Sequence, residues 1–134
     1  MEIFNFLLER YYLSIPLLVV LILLIISNSK KGGKKISSQM LISLSNQDKA
    51  YIIDLRDSES FNKGHITASI NIPAKDIARR SNEIDPRDKS IILVCEMGSA
   101  SPDAGETLMK EGFQDIFILK GGINQWNMDN LPLV

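Results

Sequence analysis

Hydrophobic residues along this chain form one long unbroken block, then a series of short runs separated by polar turns. The block is Ile15 to Ile26, apolar throughout counting Pro16, inside a 19-residue stretch from Tyr11 to Ser29 with no formal charge. Leu17 to Ile26 has no polar face, which sets it apart from an amphipathic core helix. At 1.5 Å per residue the stretch spans roughly 28 Å, close to the ~30 Å hydrocarbon core of a bilayer. The pattern predicts one transmembrane helix over 11–29, preceded by a short N-terminal tail, 1–10. Pro16 falls in the first turns, where it costs least, and Tyr11 and Tyr12 stand where an interfacial aromatic belt would be. A cleaved signal peptide fits less well, because Glu2, Glu9 and Arg10 precede the block and lysines follow it.

The remaining runs are short and alternate in type. Ser38 can cap a short helix carrying Met40, Leu41, Ile42 and Leu44. Tyr51-Ile52-Ile53-Asp54-Leu55 is rich in β-favouring residues, and Ser58 can start a helical turn through Phe61. Ser69 to Ile72 is a brief strand candidate, Pro73 suits the first turn of a helix containing Ile77, and Asp85-Pro86-Arg87-Asp88 is turn chemistry. Ile91 to Val94 is apolar at every residue, as a strand covered on both faces would be. Ser101-Pro102-Asp103 then offers an N-cap, a proline at the first helical position and an early acid, with Gly112 closing that helix. Ile116 to Leu119 is the next buried strand, followed by Gly121-Gly122 and a short helix around Trp126. The alternation predicts an α/β domain over 37–134, with a largely parallel sheet and helices on both faces.

Charge divides the chain in the same place. Residues 1–35 carry five bases and two acids, a net of +3; the rest carries ten bases and fourteen acids, a net of −4. The C-terminal part has no basic stripe, so nucleic acid is not expected as a partner. Lys30, Lys31, Lys34 and Lys35 crowd the end of the apolar block, which predicts a basic Gly/Lys linker over 30–36 and places that end in the cytoplasm, N-terminus outside. A single cysteine makes no intrachain disulfide, and one histidine without a His/Cys cluster argues against a metal site.

That cysteine, Cys95, directly follows the Ile91–Val94 run, and five residues, 96–100, separate it from the helix-start chemistry at Ser101. Ligands of parallel α/β sheets bind beyond the carboxyl ends of the strands. There Cys95 would meet loop N–H groups and the positive end of a helix dipole, which stabilise a thiolate. The neighbouring Glu96 opposes that effect with comparable strength, so strong activation is not expected. The bland reading is a small buried thiol at a strand end. Gly98 is expected to take positive φ and let the loop amides converge. Ser99 and Ser101 can donate to an anion, with Ser101 read chiefly as a helix cap.

Set in order, Ile53-Asp54-Leu55-Arg56, Phe61-Asn62-Lys63-Gly64-His65-Ile66, Ile70-Asn71-Ile72-Pro73, Ile92-Leu93-Val94-Cys95, Gly112-Phe113 and Leu119-Lys120-Gly121-Gly122 through Trp126 resemble a single-domain rhodanese, or sulfurtransferase-like protein, over roughly 36–131. With its apolar block and its final Asn-Leu-Pro-Leu-Val, the chain also resembles bacterial membrane-anchored rhodanese-like proteins. The resemblance implies a sheet of about five mostly parallel strands and no metal or organic cofactor. It implies that Cys95 accepts a sulfane sulfur from a donor, holds it as a persulfide and passes it to a thiophilic acceptor. The loop Glu96, Met97, Gly98, Ser99, Ala100 and Ser101 would cradle the anionic sulfur with backbone N–H groups. Asp54 and Arg56 would brace loops beneath the site, and His65 would be a satisfied loop residue rather than a base.

Three positions depart from the family pattern. Arginine is common directly after the cysteine and near the loop's end, where this chain has Glu96 and Ala100; a glutamate common before the aromatic of the Gly-His-Ile segment is Ser60 here. The lost cations would have held an anionic donor such as thiosulfate. A protein-borne persulfide donor is therefore expected instead. A phosphatase-like reading of the same loop is weak, because it needs an arginine at the loop's far end. The alternative from another class is an inactive rhodanese fold serving as a membrane-tethered binding module, with Glu96 in recognition. Either way the expected place is the inner membrane of a bacterium.

Overall fold

The computed structural model describes residues 2–29 and 32–134. They fall into two compact units, one ending at residue 30 and one beginning at residue 31. Lys30 and Lys31, half of the expected basic cluster, lie outside the described residues.

The first unit is two helices, α1 (Glu2–Glu9) and α2 (Tyr11–Ser29). The expected tail is thus helical over most of its length. Glu2, Asn5 and Glu9 recur at helical spacing and form one polar face; Ile3, Phe4, Phe6, Leu7 and Leu8 fill the rest. At the junction the Arg10 guanidinium lies 5.5 Å from the centre of the Phe6 ring. Among the described residues no single helix is long and apolar enough to cross a membrane. Glu2–Glu9 and Tyr11–Ile26 meet that measure only as a pair, bent by 94°.

The second unit is built on five parallel strands: β1 (Lys34–Ile36), β2 (Ala50–Asp54), β3 (Ile70–Asn71), β4 (Ser90–Val94) and β5 (Ile116–Leu119). Their order across the sheet is β1-β5-β4-β2-β3, and every neighbouring pair runs parallel. Between them lie α3 (Ser38–Asn46), α4 (Ser58–Lys63) and α5 (Ser101–Lys110), and α6 (Gly122–Met128) follows β5. The expected α/β architecture is present. β4 sits at the centre, and the period-2 alternation of its side chains feeds two cores. Ile91, Leu93 and Cys95 point to the face that packs Leu108 and Ala104 of α5, with Ile53, Ile72 and Ile77. Ile92 and Val94 point to the opposite face, with Leu41, Ile66, Ile123 and Trp126.

Several boundaries differ from those read in the sequence. Lys34 to Ile36, expected in the linker, form the edge strand β1, paired with Phe117 to Leu119. Just before it, Gly32 is buried against the first turn of α5. A side chain there would overlap the Pro102 backbone, and one on Gly105 would overlap the Gly32 carbonyl. The approach therefore needs glycine on both sides. The cap of α3 is Ser37 rather than Ser38; its side chain accepts from Met40 N–H at 3.2 Å, while Ser38 is buried. The helix expected after Pro73 is a single 3-10 turn, Ala74–Asp76, which delivers Ile77 to the core.

Candidate functional site

The register of the sheet sets two strand ends side by side. Asp54, the last residue of β2, lies opposite Val94, the last of β4, and Leu55 N–H donates to the Val94 carbonyl at 2.7 Å. Cys95 follows at once, 4% exposed, its side chain on the α5 face of the sheet. The chain then turns through residues 96–100 into α5.

Two contacts shape this loop. Gly98 has φ 87°, the positive φ expected for it, and its N–H donates to Cys95 Sγ at 2.9 Å. Positive φ is strained for any residue with a Cβ, so glycine is what lets the amide turn back onto the sulfur. The second contact comes from α6. Ile123 N–H donates to the Cys95 carbonyl and Asn124 N–H to the Glu96 carbonyl, each at 2.9 Å. These are first-turn donors of a helix, the groups that lack partners inside it. A side chain on Gly122 would overlap the Cys95 carbonyl, so this clamp also depends on a glycine. In the sequence Gly121-Gly122 stands simply between a buried strand and a short helix. Its second role could have been suspected from a Gly-Gly pair standing between a buried strand and a helix.

The outer loop is open. Glu96, Met97 and Ser99 are exposed, Met97 at 67%. The start of α5 differs from the sequence expectation by one residue. Ala100 holds the cap position with φ −87° and ψ −22°, and no side chain caps the helix. Ser101 is the first helical residue, fully buried, and its hydroxyl has no hydrogen-bond partner. A cap needs an extended backbone and a side-chain acceptor, and Ala100 offers neither. Ser101 is therefore not the cap that the Ser-Pro-Asp pattern suggested.

Under the neighbouring strand end lies a saturated network. The Arg56 guanidinium binds the Asp54 carboxylate through Nε (3.0 and 3.1 Å) and Nη2 (2.8 Å), and Nη2 also donates to the Gly64 carbonyl at 2.7 Å. Asp54 Oδ1 accepts from the Arg56 backbone N–H as well, and the Asn71 amide donates to the carbonyls of Asp54 and Arg56. Asp54 is 1% exposed and the Arg56 side chain 8%. Every acceptor of this buried pair is in use, which makes it a brace rather than an acid–base couple. His65 stands apart from the loop. Its ring stacks on Phe61 at 3.9 Å, Nδ1 lies 2.9 Å from the Phe61 carbonyl, and its backbone pairs with Val134.

Between α4, the loop and α6 is a cleft of about 250 Å³ lined by Lys63, Glu96, Asn127, Arg56, Gly64 and Leu133, among others. No short-range sequence pattern links those residues. Only the packing of the three segments brings them together.

Comparison with known proteins agrees with this geometry. The profile of the family described as Rhodanese-like domain matches residues 37–129. Thiosulfate sulfurtransferase GlpE of Shewanella oneidensis is 32% identical over 97 residues, covering 72% of this chain and 95% of that protein. Uncharacterized protein YibN of Escherichia coli is 39% identical over 93 residues; the match covers 68% of this chain and 65% of YibN. Among solved structures, a rhodanese-related protein from Thermoplasma volcanium superposes with a TM-score of 0.67 at 29% identity, over 75% of this chain and 97% of the other.

Proposed function

The chain belongs to the rhodanese-like domain family, and on that premise we propose that it is a membrane-anchored sulfurtransferase or persulfide carrier with Cys95 as its nucleophile. The observation that carries the reading is the Gly98 N–H directed at Cys95 Sγ at 2.9 Å, at the carboxyl end of a central parallel strand. Sγ attacks the outer sulfur of a donor persulfide, R–S–S⁻. The donor S–S bond breaks, its electron pair leaves with R–S⁻, and Cys95 holds the transferred sulfur as a persulfide. Attack by an acceptor thiolate reverses these roles and returns Cys95 to the thiolate. Both steps are redox neutral. The Gly98 N–H is the donor seen at the sulfur, and the Ser101 hydroxyl at the start of α5, which has no partner in the fold, is a candidate second donor to the terminal sulfur.

The donor is a protein-borne persulfide rather than thiosulfate. Glu96 and Ala100 leave the loop without a cation, and the nearby guanidinium of Arg56 is committed to Asp54. The anchor is residues 11–29 in the inner membrane of a bacterium, with the rhodanese-like domain in the cytoplasm. Its support is an uncharged helix whose apolar side chains stand exposed, together with the lysines that follow it. With its 94° bend and its single polar face, α1 suits the plane of the interface.

The full-length chain, incubated with a persulfide-bearing protein and separately with thiosulfate, is expected to gain one sulfur on Cys95 by mass spectrometry from the first donor. Thiosulfate should give little, and Cys95→Ser should take up none. No adduct from either donor overturns sulfur transfer in favour of the tethered binding module. The same preparation should resist alkaline extraction from membranes; release into the supernatant would overturn the anchor.

A further inference from the structure

Nothing at the start of α5 restrains it by capping, yet the loop from Cys95 ends there. Ala100 holds the cap position without a side-chain hydrogen bond, and Ala104 N–H donates to the Ala100 carbonyl at 3.3 Å. Ala104 and Leu108 pack in the same core as Cys95, which seats the helix on the sheet. A second contact comes from the segment before β1. A Cβ on Gly32 would overlap the Pro102 backbone, and one on Gly105 would overlap the Gly32 carbonyl. Gly33 continues this segment onto β5, where a Cβ would overlap the Ile116 carbonyl.

Gly105 has no reason to be glycine within its own helix. In a helix interior glycine costs about 1 kcal/mol relative to alanine. Gly105 is buried in the middle of α5, and the space that a methyl group would fill holds the Gly32 carbonyl. Ser101, four residues earlier and fully buried, lies on the same side of the helix. The chain thus gives up helix propensity to admit a segment from about seventy residues away.

We infer that Gly32 and Gly105 are positioning residues: residues 32–33 buttress the first turn of α5 in place of a cap, and so hold the end of the Cys95 loop in place. The inference rests on Cys95 as the reacting group and deepens that reading. The loop is then held at both ends. The α6 clamp fixes the carbonyls of Cys95 and Glu96 where the loop begins, and the buttress fixes the turn where it finishes. Between them Gly98 N–H is kept on Sγ.

The test uses the full-length chain. Replacing a helical glycine by alanine ordinarily adds stability. Gly105→Ala should instead lower the melting temperature. It should also raise the rate at which iodoacetamide alkylates Cys95, which is 4% exposed, about tenfold. A second variant adds no side chain: one glycine inserted between Gly32 and Gly33 lengthens the segment and should raise alkylation in the same way. It decides the matter if Gly105→Ala does not fold. Ile36→Ala is the control for plain loss of stability, because Ile36 is buried in the core on the opposite face of the sheet from Cys95. It should melt lower and leave alkylation near the wild-type rate. Equal alkylation of all three variants, or no rise with the inserted glycine, overturns the buttress. Loaded from inorganic polysulfide, the two buttress variants should lose the one-sulfur adduct about tenfold faster than Ile36→Ala. Failure of every chain to load overturns the sulfur-carrier reading, while alkylation, which needs no sulfur donor, still decides the buttress.

Discussion

β2 and β4 lie side by side and parallel, and each hands the chain to a short loop and then a helix, yet the two loops are finished differently. After β2, Asp54, Arg56, Asn71 and the Gly64 carbonyl form a closed set of hydrogen bonds. The following helix is then capped by Asp57, whose carboxylate accepts from Ser60 N–H at 3.0 Å. After β4, the helix has no side-chain cap, a buried hydroxyl lacks a partner and the outer side chains face solvent. The sheet gives both loops the same start, so the difference is not imposed by topology. Polar groups that pair with one another hold a loop in place. Polar groups left without partners cost stability, and they are the ones a ligand can use.

The largest test of that contrast is to open the closed loop. Asp54→Ala leaves the Arg56 guanidinium buried without its partner, and breaking such a pair costs about 3–5 kcal/mol. Chemical denaturation should show a loss of that size. A loss under about 1 kcal/mol, the scale of an exposed pair, would mean that the network is not a brace.

A smaller test concerns the two helix starts. The Ser60 hydrogen bonds, side chain first and backbone second, hold the Asp57 carboxyl below its ordinary value of 3.8. A group whose pKa is lowered by folding stabilises the fold above its unfolded pKa, and that contribution is lost as pH falls through the lower folded value. Asp57→Ala should therefore melt below the wild type at neutral pH, and the gap should close as the pH is taken down through the range below 3.8. A gap that stays constant with pH would assign the effect to helix propensity rather than to the charged cap.

Why one loop could be read from the sequence more fully than the other follows from the range of its interactions. Ile91–Val94 and Ile116–Leu119 stand out because each is four consecutive apolar residues, and a central parallel strand is covered on both faces. Cys95 and Gly98 are legible with them, since their positions depend only on the strand end and on one positive φ. β1 is not legible: it is an edge strand with two exposed lysines, and only Ile36 is buried. Adjacent serines or a Ser-Pro pair give caps that the sequence places one residue off, as at Ser37 and Ala100. The α6 clamp on the Cys95 carbonyl and the Lys63–Glu96 cleft are hidden because they join segments about thirty residues apart.

The smallest effect on stability, and the one that separates the two loops most cleanly, is expected at Ser101. Its hydroxyl is fully buried with no partner, and an unpaired hydroxyl carries a desolvation cost of roughly 1–3 kcal/mol. Ser101→Ala removes that cost together with one small atom, so the variant should be at least as stable as the wild type. The sulfur held on Cys95 should respond in the opposite sense. A hydrogen bond to a charged group is worth about 1.5–3 kcal/mol, so losing the hydroxyl should shorten the life of the persulfide by about tenfold to a hundredfold. Thermal melts and the decay of the one-sulfur adduct, measured on the same variant, read the two effects separately. A lower melting temperature would show that the hydroxyl is paired in the fold after all, as the groups around Asp54 are. An unchanged persulfide lifetime would remove Ser101 from the cradle and leave the loop amides to hold the sulfur alone.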